Sequence, residues 1–127
     1  MTKNIVLTTN APAPVGPYSQ AVWAGDLLYC SGQISIDPKT NELYLGDIQE
    51  QTRIVMENVG AVLKEAGLNY DNIIKTAIFL TDMNDFSKVN EIYAKYFPEV
   101  PPARSCVAVA SLPKGVNVEV EVIAYKG

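Results

Sequence analysis

The 127-residue chain contains no histidine. That single absence removes the usual general base near neutral pH, the commonest metal ligand and every Ser–His or Cys–His nucleophile pair. Cysteine is scarce as well. Cys30 and Cys106 are the only two, too few for a disulfide scaffold, and both fall inside apolar strand-like runs, which suits free thiols in a reducing compartment. There is no run of lysine or arginine, and 14 acidic residues against 10 basic ones give a net charge of −4. That sign repels phosphate backbones, so nucleic acid is not expected as a partner. No stretch approaches 18 uninterrupted apolar residues, and the opening MTKNIVLTTN lacks the apolar segment of a secretory signal. The expectation is a soluble, cytoplasmic protein with no membrane partner.

What is present is ordinary for a globular chain: 48% hydrophobic and 19% charged residues. Internal repeats and low-complexity linkers are absent, so residues 1–127 are read as one domain. NIVLTT (4–9) reads as a short strand and the proline-rich 10–20 as a turn. AVWAG and LLYCSGQIS flank Gly25-Asp26 as two strands of a hairpin, and DPKTNE (37–42) is a turn cluster. A strong helix follows, with Asp47 as N-cap, Glu50 at the capping-box position and Gly67 just past the end. Ile48, Thr52, Val55, Val59, Val62 and Ala66 recur at spacings of four and three, forming one amphipathic stripe. KTAIFLT (75–81) is a strand. Residues 84–97 form a second helix capped by Asn84 or Asp85, with Phe86, Val89, Tyr93 and Tyr96 on one side and Pro98 ending it.

The segments ARSCVAVAS and VNVEVEVIAY flank LPKG (112–115), which predicts an antiparallel hairpin. Its even loop pairs Cys106 with Glu121 and Ala108 with Glu119. Arg104, Cys106, Glu119 and Glu121 would then share one face, and Val107, Val109, Val118, Val120 and Val122 the other. The order β-β-β-α-β-α-β-β predicts an α+β sandwich, a mostly antiparallel sheet with both helices on one face. The valine face would be core. The opposite face, with a cation and two carboxylates among small residues, asks for another covering, and a homo-oligomer is expected. Arg104 belongs either to a salt bridge with Glu119, Glu121 or a neighbouring subunit, or to an incoming anion.

Four segments, GPYSQ (16–20), SGQI (31–34), KVNEIYAKYF (88–97) and PARSCVAVASLPKGVNVEVEVIA (102–124), resemble in order and spacing the RidA (YjgF-like) imine deaminase family. The resemblance implies a chorismate-mutase-like α+β subunit, a homotrimer with sites between subunits, and no cofactor. It implies hydrolysis of enamine and imine acids, such as 2-aminoacrylate and 2-iminobutanoate, to 2-keto acids and ammonia. By the same resemblance Arg104 grips the substrate carboxylate, a task that suits its planar two-donor fork. Glu119 positions the attacking water and handles protons in a chain without histidine. Cys106 and Gly32 contribute backbone groups, the glycine allowing close approach. Ser31 adds a hydrogen bond, Tyr18 lines the cleft, Asn90 buttresses it and Glu121 supports. A short connection from Phe97 to Pro102 departs from the family pattern at the rim.

Each of these residues also has a plainer role: Glu119 as a solvated strand carboxylate, Tyr18 as core, Asn90 as an exposed helix residue, Gly32 as a bulge. The alternative function is a non-catalytic module binding small carboxylates in the same clefts. A third, ribonuclease activity, is disfavoured by the acidic balance and the missing histidine.

Overall fold

The computed structural model describes residues 2–127. Six strands form one sheet: β1 (Asn4–Val6), β2 (Ala21–Ala24), β3 (Leu27–Gln33), β4 (Ile73–Leu80), β5 (Ala103–Ala108) and β6 (Val118–Tyr125). Their order across the sheet is β1-β2-β3-β6-β4-β5. All neighbours are antiparallel except β4 and β5, which run parallel. Two helices, α1 (Ile48–Glu65) and α2 (Phe86–Ala94), pack on one face. The α+β architecture is as expected from the order of elements.

Local chemistry explains the boundaries. The Asp47 side chain accepts a hydrogen bond from the Glu50 amide at 3.0 Å, satisfying one of the unpaired N–H groups of the first turn of α1. Glu50 does not complete a capping box; it instead pairs with Arg53 at 2.7 Å. Gly67, at φ +80°, ends the helix in the left-handed region, and Gly25, at φ +59°, does the same for the turn between β2 and β3. The second helix starts later than expected. A 3-10 turn at Met83–Asp85 precedes it, capped by Asp82, which accepts from the Asn84 amide; Asp85 holds the N-cap position of α2 as expected, but its side chain makes no capping bond.

The core lies between the helices and one sheet face. It joins Val55, Val59, Val62 and Leu63 of α1 to Leu28, Ile78, Leu80, Val118, Val120 and Val122 of the strands. The predicted stripe of α1 is buried, and so are polar Gln51, Thr52 and Asn58 beside it. Gln51 exchanges hydrogen bonds with Asn117 and Asn58 donates to the carbonyls of Ile34 and Ile36, so α1 ties down the loops flanking the sheet.

One expectation is overturned. β5 and β6 do not form a hairpin. Pro113–Gly115 forms a 3-10 turn with Lys114 and Gly115 both at positive φ, and the chain crosses β4 so that β6 inserts between β3 and β4. β5 pairs in parallel with the far side of β4, as the return strand of a β4–α2–β5 crossover. The faces change accordingly. Cys106 aligns with Ile78 and, beyond it, Val120, while Arg104 aligns with Thr76 and Val122, so both point to the helix-covered face. Glu119 and Glu121 align with Phe79 and Ala77 on the opposite face, and Val107 joins them there at 48% exposure instead of entering the core.

Candidate functional site

The predicted site residues form two groups on opposite faces of the sheet. The first gathers on the uncovered face. β3 breaks register with β6 between Cys30 and Gln33, and Ser31 and Gly32 occupy the break. Gly32 lies directly against Glu119, where a Cβ would collide with the glutamate side chain; the absent side chain is what permits this approach. The Ser31 hydroxyl donates to the Ser19 carbonyl at 2.7 Å and its amide to the Gln20 carbonyl at 2.9 Å. Those bonds moor the segment carrying Tyr18, whose half-exposed ring forms part of the wall. Pro12, Val15, Tyr18, Gly32, Lys114 and Glu119 are among the walls of a cleft of about 480 Å³.

Glu119 carries the electrostatic signature of this cleft. Its carboxyl titrates above the usual glutamate range, first because burial penalises the charged form and second because Glu121 stands nearby. A carboxylate so poised, with no histidine in the chain, is suited to exchange protons with a bound water.

The second group sits at the free edge of the sheet. Arg104 lies over two aromatic rings, 5.4 Å from the centroid of Phe86 and 5.2 Å from that of Tyr93, a cation–π platform supplied by α2. One terminal nitrogen, Nη1, donates to Asn90 Oδ1 at 2.7 Å. The remaining N–H donors of its fork have no partner among the described residues, and the one ion pair there joins Arg53 to Glu50. Neither Glu119 nor Glu121 can reach across the sheet to it. A salt bridge of Arg104 with Glu119 or Glu121 of its own chain is thereby excluded, which leaves a neighbouring subunit's carboxylate or an incoming anion.

Cys106 is next on the same edge. The Val109 amide donates to the Leu80 carbonyl at 2.8 Å, and backbone groups alternate sides along a strand. Odd-numbered residues of β5 therefore bond to β4, while the N–H and C=O of Arg104 and Cys106 face outward, unclaimed by the sheet. Burial pushes the Cys106 thiol up, partly offset by Arg104, and burial raises Cys30 to about 12. Neither is activated as a nucleophile.

Sequence reasoning missed three features here. The Phe86–Tyr93 platform was visible only as a helix stripe. Gln20, 1% exposed, closes a ring of hydrogen bonds to Thr8 and Pro12 that holds the cleft wall in place; a glutamine next to three prolines and a glycine was its only signal. Lys114 lines the cleft although it read as a turn residue. A larger hollow of about 790 Å³, between residues 37–44 and α1, contains none of the predicted site residues.

The model of the family described as endoribonuclease L-PSP matches residues 8–126. A RutC family protein of Pyrococcus horikoshii is 55% identical over 124 residues, covering 98% of both chains. The chain belongs to the RidA (YjgF-like) family. A 2-iminobutanoate/2-iminopropanoate deaminase of Mus musculus is similar to it at 46% identity over 125 residues, 98% of this chain and 93% of that one. The solved structure of E. coli TdcF with bound serine superposes with a TM-score of 0.94 at 44% identity, covering 98% of this chain and 100% of that one. Within this RidA-family chain, an arginine without a carboxylate partner and a glutamate of raised pKa face away from each other.

Proposed function

We propose that the protein hydrolyses reactive enamine and imine acids, 2-aminoacrylate and 2-iminobutanoate among them, to 2-keto acids and ammonia. On this reading it works without a cofactor, in the cytoplasm, as a homotrimer whose sites lie between subunits. The observation that carries the reading is the unpaired fork of Arg104, fixed by Asn90 and two rings at an open strand edge. Supporting it are the deaminase name of a relative 46% identical and the raised pKa of the Glu119 carboxyl, caused first by burial and then by Glu121.

The chemistry then follows. Arg104 of one subunit grips the substrate carboxylate with two parallel hydrogen bonds, and the outward backbone of Cys106 lies beside it. The neighbouring subunit contributes Glu119, Gly32 and Tyr18. Glu119 orients a water, whose oxygen bonds to C2 while the C=N electron pair moves to nitrogen. The proton released by the water passes through Glu119 to that nitrogen. Collapse of the resulting carbinolamine, its hydroxyl proton passing to nitrogen, expels ammonia and leaves the keto group; an enamine first takes a proton at C3 and gives one up from nitrogen, becoming the imine. The uncovered sheet face, with Tyr29, Val107 and Ile5 each about half exposed, would be closed by the other subunits.

The test is keto-acid release from 2-iminobutanoate generated in situ by an amino-acid oxidase. Wild type should accelerate release, and Arg104→Ala should lose about 10- to 100-fold in kcat/KM, the worth of one charge-assisted contact. Equal acceleration by both proteins would remove Arg104 from the site.

The serine bound to TdcF favours a second reading, in which the same clefts hold a small amino or keto acid without turning it over. Glu119→Gln separates the two: the enzyme reading requires lost turnover with binding retained. Ribonuclease activity finds no support in the cleft, where Glu119 and Glu121 would repel phosphate.

A further inference from the structure

Lys114 has a left-handed backbone, φ 57° and ψ 18°, a conformation that L residues with ordinary side chains rarely adopt and that glycine adopts freely. The other non-glycine residue of positive φ is Asn41, a type whose short amide tolerates it. Gly115, adjacent, is also left-handed, at φ +78°. A glycine at 114 would therefore fit the turn better than the lysine does, and backbone strain of this kind gathers at functional sites.

The lysine occupies the rim of the cleft that holds Glu119 and Glu121, and it is the only cation among the described residues lining that cleft. No salt bridge joins it to either carboxylate. The cleft thus sets two negative charges before any anion that enters, in a chain whose net charge is already −4.

We propose that Lys114 is the entry cation of the cleft: its strained turn holds an unpaired ammonium at the mouth, where it draws in the small anionic substrate against Glu119 and Glu121. This rests on the anionic imino-acid reading of the site and adds the residue that governs capture, as distinct from Arg104, which holds the substrate once bound. Steering by a rim charge acts on association and fades with ionic strength.

The experiment compares wild type, Lys114→Gly and Lys114→Arg as full-length proteins, by keto-acid release at about 20 and 300 mM salt and by thermal midpoint. Lys114→Gly should melt no lower than wild type, because it relieves the turn. At low salt it should lose about five- to tenfold in kcat/KM through KM, with kcat within about twofold, and the loss should shrink below about twofold at high salt. Lys114→Arg should retain the wild-type salt profile. Unchanged kinetics in Lys114→Gly, a loss independent of salt, or a lower melting point would overturn the proposal. If wild type releases no keto acid, the deaminase reading fails separately, and calorimetric binding of 2-oxobutanoate decides: weaker low-salt binding by Lys114→Gly upholds the entry role, and equal binding or none by any of the proteins overturns it.

Discussion

Glu119 concentrates the chemistry of the uncovered face, and its raised pKa has consequences that can be measured. A carboxyl whose folded pKa lies above its unfolded value destabilises the fold once ionised; the stability is greatest below the unfolded pKa and is lost as pH rises through the folded one. At pH 7 the wild type therefore carries the penalty of a partly buried charge. Glu119→Gln should raise the melting temperature at pH 7 while abolishing turnover, and the gain should fade as pH falls through the ordinary glutamate range. Scanning calorimetry between pH 4 and 7 would check this, and a variant less stable than wild type at pH 7 would contradict it. The second contribution to the shift is Glu121. Removing its charge in Glu121→Gln should move the acid limb of the kcat/KM profile toward lower pH, leaving only the burial effect. A limb that stays in place would mean that Glu121 does not act on Glu119.

At the scale of elements, α1 is specified mostly by its own sequence. The Asp47 cap, the apolar stripe and Gly67 coincide with the observed boundaries. Asp47→Ala should cost about 1 kcal/mol, within the 0.5–2 kcal/mol typical of lost N-caps, as read from denaturant midpoints at constant slope. The terminal strands were less legible. LPKG looked like a hairpin loop because two apolar runs flank it at short range, yet its residues turn the chain aside. The corrective signal was present: a strand, a helix of about three turns and another strand, Ile73 to Ala108, is the pattern of a parallel crossover unit. Alternation inside β6 was read correctly for Val118, Val120 and Val122, but its extension to Val107 depended on the wrong partner strand. Arg104 was singled out by its residue type and by a family resemblance, while its aromatic platform required two helix residues whose inward direction no linear pattern distinguishes from core packing.

At the scale of the molecule, the sheet separates the proposed site residues into two groups. Arg104, Asn90 and the outward backbone of Cys106 occupy one face and edge; Tyr18, Ser31, Gly32 and Glu119 occupy the other. No folding of a single chain brings these groups together, so the central claim is that each site takes its arginine from one subunit and its glutamate from the next. The most direct measurement mixes Arg104→Ala, which keeps at most about a tenth of wild-type kcat/KM, with inactive Glu119→Gln in equal amounts, by refolding or co-expression, and assays keto-acid release. In a cyclic assembly with random exchange, about a quarter of the sites receive an intact arginine and an intact glutamate. The account predicts recovery of about a quarter of wild-type activity, well above the mean of the two variants assayed separately, and a mixture no more active than that mean would contradict it.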